Sequence, residues 1–216
     1  MVLDKLHYDP PGGPVRVVHR DKDLLLVDKP SGLLSVPGKD MAHRDCLETR
    51  VKAAFDGALL VHRLDLDTSG LMVFAMNRAA QRHLGLQFER RRIAKSYVAI
   101  VSGLVVGDEG LIDLPLIADW PNRPLQKVCH ETGKPAQTAW QVLARGDGET
   151  RLGLRPRTGR SHQLRVHLQA LGHPILGDRF YGDTGSAPRL MLHAESLELH
   201  HPADGMRRRF ECPCPF

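Results

Sequence analysis

The sequence predicts a mixed α+β domain in which strands outnumber helices. Short segments rich in leucine and β-branched residues recur along the chain, and turns containing glycine, proline or aspartate separate them, as is typical of strands. Three further segments show the apolar spacing of helices. A chain of 216 residues with 42% hydrophobic content is long enough to bury one sizeable core, so we expect a single domain.

The predicted strands begin after the Pro/Gly-rich residues 10–14. The stretch VRVVHRDKDLLLVDKPSGLLSVPG predicts two short strands with a turn at residues 21–23, followed by a loop. The unbroken apolar run LMVFAM, residues 71–76, predicts a buried strand, and KSYVAIVSG predicts a strand that ends at Gly103. Further strand candidates lie at residues 111–117, 137–143 and 151–155.

The predicted helices are CLETRVKAAF (residues 46–55), the amphipathic residues 78–90 and SHQLRVHLQALGHP (residues 161–174). We expect Ser161 to cap the start of the last helix, and Gly172 followed by proline to end it. Its apolar stripe is expected to comprise Leu164, Leu168 and Leu171.

Charge and composition narrow the classes of protein that fit. The formal net charge of +5 suits a polyanionic partner. The N-terminal segment contains two aspartates and has no apolar centre, which is unlike a secretory signal, and no apolar run reaches the length of a membrane span. The four cysteines show no paired CxxC pattern, which argues against a disulfide scaffold or a structural zinc, and we expect the CPC terminus to be a polar, frayed tail. These features predict a cytoplasmic protein.

The segment HRLDLDTSG, residues 62–70, places unusual charge beside a buried strand. On an extended backbone Asp65 and Asp67 would point to one side with alpha carbons roughly 6 to 7 Å apart, a spacing that suits a general acid/base pair. The alternative is a turn in which Asp67, Thr68 and Ser69 bond to the local backbone and Gly70 adopts a positive φ. The turn accounts less well for Arg63 and Asp65.

A second charged segment, RPRTGRSHQLRVH, begins at Arg155. Arg157 and Arg160 lie beside a predicted helix N-terminus, which favours either an anion site or a solvated basic loop. Arg165 lies one turn further, close to the apolar stripe, and there it needs a carboxylate partner.

Tyr97 lies on a predicted strand shortly after three consecutive arginines, Arg90, Arg91 and Arg92. It is either a core-edge tyrosine or an aromatic placed to stack on a nucleobase. On charge alone, we expect the three arginines to contact phosphates.

Three long segments resemble motifs of the RluA-type pseudouridine synthases in the correct order. HRLDLDTSG resembles their HRLDxxTSG motif, DLLLVDKPSGLLSVPG their N-terminal strand-loop motif, and RPRTGRSHQLRVHLQALGHPILGDRFYG their C-terminal motif. DWPNRPLQKVCHETGKPAQT and the short N-terminus are most similar to small members that modify both 23S ribosomal RNA and transfer RNA. His130 and the final MRRRFECPCPF depart from that pattern and put the substrate preference in doubt.

The resemblance implies one pseudouridine synthase catalytic domain over residues 15–216, after an N-terminal extension of residues 1–14 and without an S4-like domain. It implies a central mixed, largely antiparallel sheet flanked by helices and loops, and chemistry without metal or organic cofactor. The expected partners are 23S rRNA and tRNA stem-loops, with no membrane partner, and we expect a monomer.

The same resemblance implies roles for individual residues. Asp65 is the catalytic aspartate, as nucleophile or as base, and Arg165 pairs with it. Tyr97 stacks on the flipped uridine, and Arg63 enters the RNA stack that the base has left. His62, Arg160 and His162 are expected to contact RNA or to act as local scaffold.

Two other functions fit parts of the pattern. A non-catalytic RNA-binding module would keep the basic surface without needing Asp65, and a hydrolase would use Asp65 and Asp67 as a pair. Replacement of each aspartate by asparagine distinguishes these hypotheses.

Overall fold

The computed structural model describes residues 8–38 and 40–216. In this part of the chain the helices are α1 (Leu47–Ala54), α2 (Arg78–Glu89) and α3 (Gln163–Ala170). The strands are β1 (Arg16–Arg20), β2 (Leu24–Lys29), β3 (Leu59–Leu60), β4 (Ser69–Ala75), β5 (Ala94–Ser102), β6 (Glu109–Asp113), β7 (Leu116–Ala118), β8 (Gln126–Val128), β9 (Gln137–Gly146), β10 (Glu149–Pro156), β11 (Leu192–His200) and β12 (Arg207–Glu211). None of the helices so described is long and apolar enough to cross a bilayer.

The described chain divides into two compact units. The first unit comprises residues 8–95 and 193–215, and the second comprises residues 96–192 with Phe216. Residues 1–7 of the expected N-terminal extension lie outside the described residues, and the domain boundary at residue 15 stays a prediction.

The first unit contains the strand order β1-β2-β4-β11, with β12 paired to β11 and β3 to β4. The β1–β2, β2–β4, β3–β4 and β11–β12 pairs are antiparallel, whereas β4 and β11 are parallel. Gly70 pairs with Ala194 across the parallel contact and has φ +111°; a Cβ there would lie 2.3 Å from the Ala194 carbonyl oxygen. The positive φ predicted for Gly70 is confirmed, and only glycine fits this close approach.

In the turn between β1 and β2, the Asp21 carboxylate lies between the imidazole rings of His19 and His201. Asp21 Oδ2 lies 2.7 Å from His19 Nε2 and 3.0 Å from His201 Nε2. Asp21 Oδ1 accepts the backbone N–H groups of Asp23 and Leu24 at 2.8 and 2.9 Å. The side chain therefore closes the turn and ties it to the end of β11.

The core of the first unit lies between its strands and α2. Asn77 caps α2 by accepting the N–H of Ala80 at 2.9 Å, as an asparagine at this position should. Ala80 and Leu84 are fully buried, and Phe88 is partly buried beside them. The predicted amphipathic helix is confirmed. The strands contribute Leu24, Leu26, Leu71, Val73, Leu197 and Leu199 to the same core.

The second unit contains the antiparallel strand order β5-β10-β9-β6 and a separate two-stranded ribbon of β7 and β8. Its core packs Leu164 and Leu168 of α3 against Ala99, Val101, Leu152 and Leu154 of the sheet. The expected mixed, largely antiparallel sheet with helices is confirmed.

The start of α3 differs from the prediction. The helix begins at Gln163 after His162, which has φ 53°, and Ser161 is exposed and does not cap it. The buried side chain of Gln163 instead binds the preceding loop: its Oε1 accepts the Thr158 hydroxyl at 2.7 Å and the Arg160 N–H at 3.0 Å. At the other end of the helix, Leu171, predicted to belong to the apolar stripe, is 37% exposed.

The C-terminal segment is not a frayed tail. Residues 207–211 form β12, which pairs with β11 from Ser196–Glu211 to His200–Arg207, and Cys212 beyond it is 6% exposed. The run of arginines concealed this strand, because its stability comes from backbone pairing rather than from an alternating apolar pattern. The predicted strand at residues 111–117 is two strands, because Pro115 has no N–H for a ladder.

Candidate active site

The segment HRLDLDTSG crosses the first unit as an irregular loop that enters β4 at Ser69. Leu64 and Thr68 are buried, whereas Asp65 and Asp67 are partly exposed. The loop thus buries Leu64 and Thr68 and leaves both carboxylates partly exposed to solvent.

A buried lysine anchors this loop to the preceding motif. Lys29, at the end of β2, has no solvent exposure. Its ammonium donates to the carbonyl oxygens of Pro30 at 2.9 Å, Leu33 at 2.6 Å and Leu66 at 2.8 Å. Because charge-assisted bonds are about twice as strong as neutral ones, the lysine fixes the backbone directly beside Asp65.

Two serines of the KPSGLLS segment provide further anchors. The buried Ser35 hydroxyl donates to the Leu64 carbonyl at 2.7 Å and accepts the Leu64 N–H at 3.1 Å. The Ser31 hydroxyl donates to the backbone carbonyl of Asp67 at 2.6 Å. The loop is therefore bound on both sides of Asp65, which gives a physical reason for the two motifs to occur together.

His62 has the contacts of a scaffolding residue. Its Nε2 accepts the N–H of Val73 at 3.0 Å, and its ring stacks on Phe88 at 4.7 Å between centroids. Burial, with the charge of Lys95 adding to it, lowers the pKa of His62 to about 3, so the ring is neutral at physiological pH. Arg63, the next residue, is exposed. RNA contact by either residue stays a prediction.

The Ser69 hydroxyl makes a contact with a residue far along the chain. Its hydroxyl lies 2.9 Å from Nδ1 of the buried His193, whose Nε2 lies 2.9 Å from the carbonyl oxygen of Cys212. The carbonyl can only accept, so Nε2 carries the proton and Nδ1 accepts from Ser69. This chain of bonds fixes the start of β4 beneath the loop.

In the second unit, Arg165 forms a buried ion pair with Asp178. Arg165 Nε lies 2.8 Å from Asp178 Oδ2, and Nη2 lies 2.6 Å from Oδ1. The side chains are 2% and 0% exposed. The expectation that Arg165 needs a carboxylate partner is thus met by a residue that sequence reasoning missed, although Asp178 stands inside the quoted C-terminal motif. The pairing of Arg165 with Asp65 stays a prediction.

His162 and Arg160 are placed by contacts near the start of α3. His162 Nδ1 lies 2.7 Å from the Tyr181 hydroxyl, and the imidazole stacks on Phe180 at 5.7 Å. Arg160 donates from Nε to the carbonyl of Pro135 at 3.3 Å. Both side chains therefore have structural contacts within the unit, and their expected RNA contacts are not tested by this geometry.

Tyr97 lies on β5 opposite Leu154 of β10 and packs, partly buried, against the core of the second unit. Arg90, Arg91 and Arg92 follow α2 in the first unit and are all exposed. In the described residues these three guanidinium groups form no ion pair, whereas Arg207, Arg208 and Arg209 of β12 each pair with a carboxylate.

The structure therefore brings His62, Arg63 and Asp65 together on one anchored loop of the first unit, and Arg160, His162 and Arg165 on one loop and helix of the second. No group of three histidine, cysteine, aspartate or glutamate side chains in the described residues has the arrangement of a metal site.

Comparison with known proteins identifies the class to which this fold and loop belong. The sequence profile of RNA pseudouridylate synthases matches residues 23–170, which include the anchored loop and α3. The chain belongs to the RNA pseudouridylate synthase family and is an isomerase of that class.

Among individual relatives, the chain is 54% identical over 215 residues to the dual-specificity RNA pseudouridine synthase RluA of Salmonella typhimurium, covering 97% of this chain and 98% of that protein. It is 53% identical to RluA of Escherichia coli K12 with the same coverage. Among solved structures, human RNA pseudouridylate synthase domain containing 1 superposes with a TM-score of 0.81 at 31% identity, covering 96% of this chain and 87% of that one. The human domain containing 4 protein gives 0.74 at 27% identity, covering 93% and 88%.

Proposed function

We propose that this protein isomerises specific uridines in RNA stem-loops, in both 23S rRNA and the tRNA anticodon stem-loop. Its support is the identity of more than half of the sequence to relatives named as dual-specificity enzymes, over nearly the whole of both chains. The net charge of +5 agrees with an RNA substrate.

The observation that carries the proposal is the anchoring of the Asp65 loop. Lys29 and Ser35 hold the backbone at Leu66 and Leu64, the two neighbours of Asp65. A carboxylate that must meet one carbon of a flipped nucleotide needs such a fixed backbone, because small misplacements of reacting groups cost large factors in rate.

In the proposed reaction the target uridine is flipped out of the RNA, and its C1′–N1 bond breaks. The uracil rotates, C5 forms a bond to C1′, C5 loses its proton, and N1 gains one. Asp65 promotes the cleavage either by attacking C1′ or by removing a proton from the sugar, and each role requires its ionised form. No electron is gained or lost overall, so the reaction needs no redox cofactor, and the proposal includes neither a metal nor an organic cofactor.

The other site residues have supporting roles in this proposal. Arg165 pairs with Asp65, Tyr97 stacks on the flipped base, and Arg63 fills the gap in the RNA stack, which offsets part of the few kcal/mol of unstacking. The remaining RNA contacts are assigned to His62, Arg90, Arg91, Arg92, Arg160 and His162. We further propose that the enzyme acts as a monomer in the cytoplasm.

Tritium release tests the function directly. Isomerisation replaces the C5–H bond by C5–C1′, so RNA carrying tritium at uracil C5 releases it to water. Incubation with 23S rRNA and tRNA transcripts should release about one equivalent per target uridine from each RNA, at sites located by mapping. Release from only one RNA would contradict the dual specificity, and release from neither would contradict the function.

A further inference from the structure

The buried ion pair between Arg165 and Asp178 is side-on, with Nε and Nη2 of the guanidinium facing the two carboxylate oxygens at 2.8 and 2.6 Å. A planar guanidinium has a fixed fork of donors, so fixing one edge also fixes the direction of the others. Asp178 therefore determines where the rest of the Arg165 guanidinium points.

Asp178 is itself held in place by its own turn. Its Oδ1 also accepts the backbone N–H groups of Phe180 at 2.9 Å and Tyr181 at 3.1 Å, and its carbonyl accepts the N–H of Gly182 at 3.0 Å. Gly177, just before it, has φ +69°, and a Cβ there would lie 2.0 Å from the Arg189 carbonyl oxygen. The turn cannot move without losing these hydrogen bonds, so the position of the Asp178 carboxylate is fixed.

The same turn also covers the guanidinium with aromatic rings. Arg165 Cζ lies 5.1 Å from the ring centre of Phe180 and 5.2 Å from that of Tyr181. The Tyr181 hydroxyl accepts the N–H of Gln126 at 2.8 Å and lies 2.7 Å from His162 Nδ1. The turn at residues 178–181 thus holds the Arg165 guanidinium between a carboxylate and two aromatic rings. The hydrogen bond from β8 in turn fixes the Tyr181 ring.

We propose that Asp178 is a positioning residue for the isomerisation and acts through Arg165. Stability alone is a weak explanation of the pair, because buried ion pairs often contribute little relative to apolar side chains of the same size. Arg165 also lies in the first turn of α3, where the helix dipole disfavours positive charge, so the Asp178 carboxylate offsets that unfavourable interaction and orients the guanidinium. The inference rests on the proposed role of Arg165 beside Asp65.

The test uses the full chain and an RNA stem-loop substrate under single-turnover conditions. Asp178→Asn should lower the rate of tritium release roughly 10- to 100-fold, because a displaced catalytic group costs about that factor. The Kd for the RNA should stay within about twofold of the wild-type value, because Asp178 contacts no substrate in the proposal. Asp178→Glu keeps the charge with one methylene more and should give an intermediate rate.

A double-mutant cycle with Arg165→Lys separates positioning from a merely structural role. If Asp178 acts through Arg165, adding Asp178→Asn to Arg165→Lys should lower the rate less than about twofold further. Independent, multiplying losses would overturn the proposal, as would a wild-type rate in Asp178→Asn or a loss explained by weaker RNA binding. If Asp178→Asn fails to fold, Asp178→Glu provides the test. A wild-type rate in Asp178→Glu would also overturn the proposal.

Asp45→Asn is the matched control. Asp45 forms a side-on pair with Arg50, with both bonds at 2.7 Å, on the first unit at α1, and the proposal gives it no role in the reaction. Its rate should equal that of the wild type. Absence of tritium release from the wild-type enzyme itself would contradict the proposed function, which is an outcome distinct from all of those above.

Discussion

Replacement of Lys29 by methionine should destabilise the protein and slow the reaction together. Methionine keeps most of the unbranched side chain but removes the ammonium that donates to Pro30, Leu33 and Leu66. Each charge-assisted bond contributes about 1.5–3 kcal/mol, and loss of one partner leaves buried carbonyls unsatisfied. The variant no longer has to bury a charged group, and this offsets part of the loss. We therefore expect a net decrease of about 3–5 kcal/mol in the free energy of unfolding.

For a chain of this size a change of 1 kcal/mol shifts Tm by about 2–4 °C, so Lys29→Met should lower Tm by about 6–20 °C. Because Leu66 adjoins Asp65, the rate of tritium release measured below the unfolding range should fall by about 10-fold or more.

Lys52→Met is the control, since Lys52 is 53% exposed and pairs with Glu48 at 2.6 Å on the surface of α1. Such pairs contribute about 0.3–0.5 kcal/mol. A Tm and rate for Lys29→Met equal to those of Lys52→Met would refute the anchoring argument.

Three further predictions concern charge. Burial, with the charge of Lys95 adding to it, lowers the pKa of His62 to about 3 in the folded protein, so below pH about 6.5 only the unfolded chain takes up a proton there, and the free energy of unfolding falls by up to about 1.4 kcal/mol per pH unit. In urea titrations, His62→Gln should therefore lose less stability between pH 7 and pH 5 than the wild type. Equal losses in the two proteins would contradict this. Burial alone would raise the pKa of Asp21, but bonds from two histidines and two backbone N–H groups outweigh it and hold this pKa below its usual range. Its contribution is therefore present above pH about 4 and lost in more acidic solution, so Asp21→Asn should flatten the stability profile between pH 4 and 2, and parallel profiles would count against this. Each phosphate contact contributes about 0.7–0.9 to the slope of log K for RNA against log salt, so glutamine at all three positions 90–92 should reduce that slope by about 2–3. The same change at positions 207–209 should alter the slope little. Equal slopes in the two triple variants would show that Arg90, Arg91 and Arg92 contact no phosphate.

Local patterns were sufficient to predict much of the fold. The strand pair before and after Asp21, the amphipathic α2 and the positive φ of Gly70 follow from turn chemistry and apolar periodicity, which act over a few residues. The prediction for Arg165 also succeeded in part, because burial of a guanidinium demands a carboxylate wherever the chain supplies one.

Long-range contacts explain what the sequence analysis missed. Strand β11 has no counterpart among the predicted elements, and β12 is stabilised by pairing with it rather than by its own apolar pattern. Ser161 has the chemistry of a helix cap, but the N-cap position falls on His162, which has φ 53°, and Ser161 is exposed one residue earlier. Asp178 could have been found by searching the C-terminal motif for the carboxylate that Arg165 requires.

The central claim is that Asp65 alone is the catalytic carboxylate, and paired replacements test it most directly. Asp65→Asn should lower single-turnover tritium release by at least about 10²-fold, the usual contribution of a positioned acid, base or nucleophile, while the Kd for RNA stays within about threefold. Asp67→Asn, in a position whose backbone carbonyl is held by Ser31, should retain most of the rate. Full activity of Asp65→Asn would contradict the account, and an equal loss in both variants would favour a paired-carboxylate mechanism.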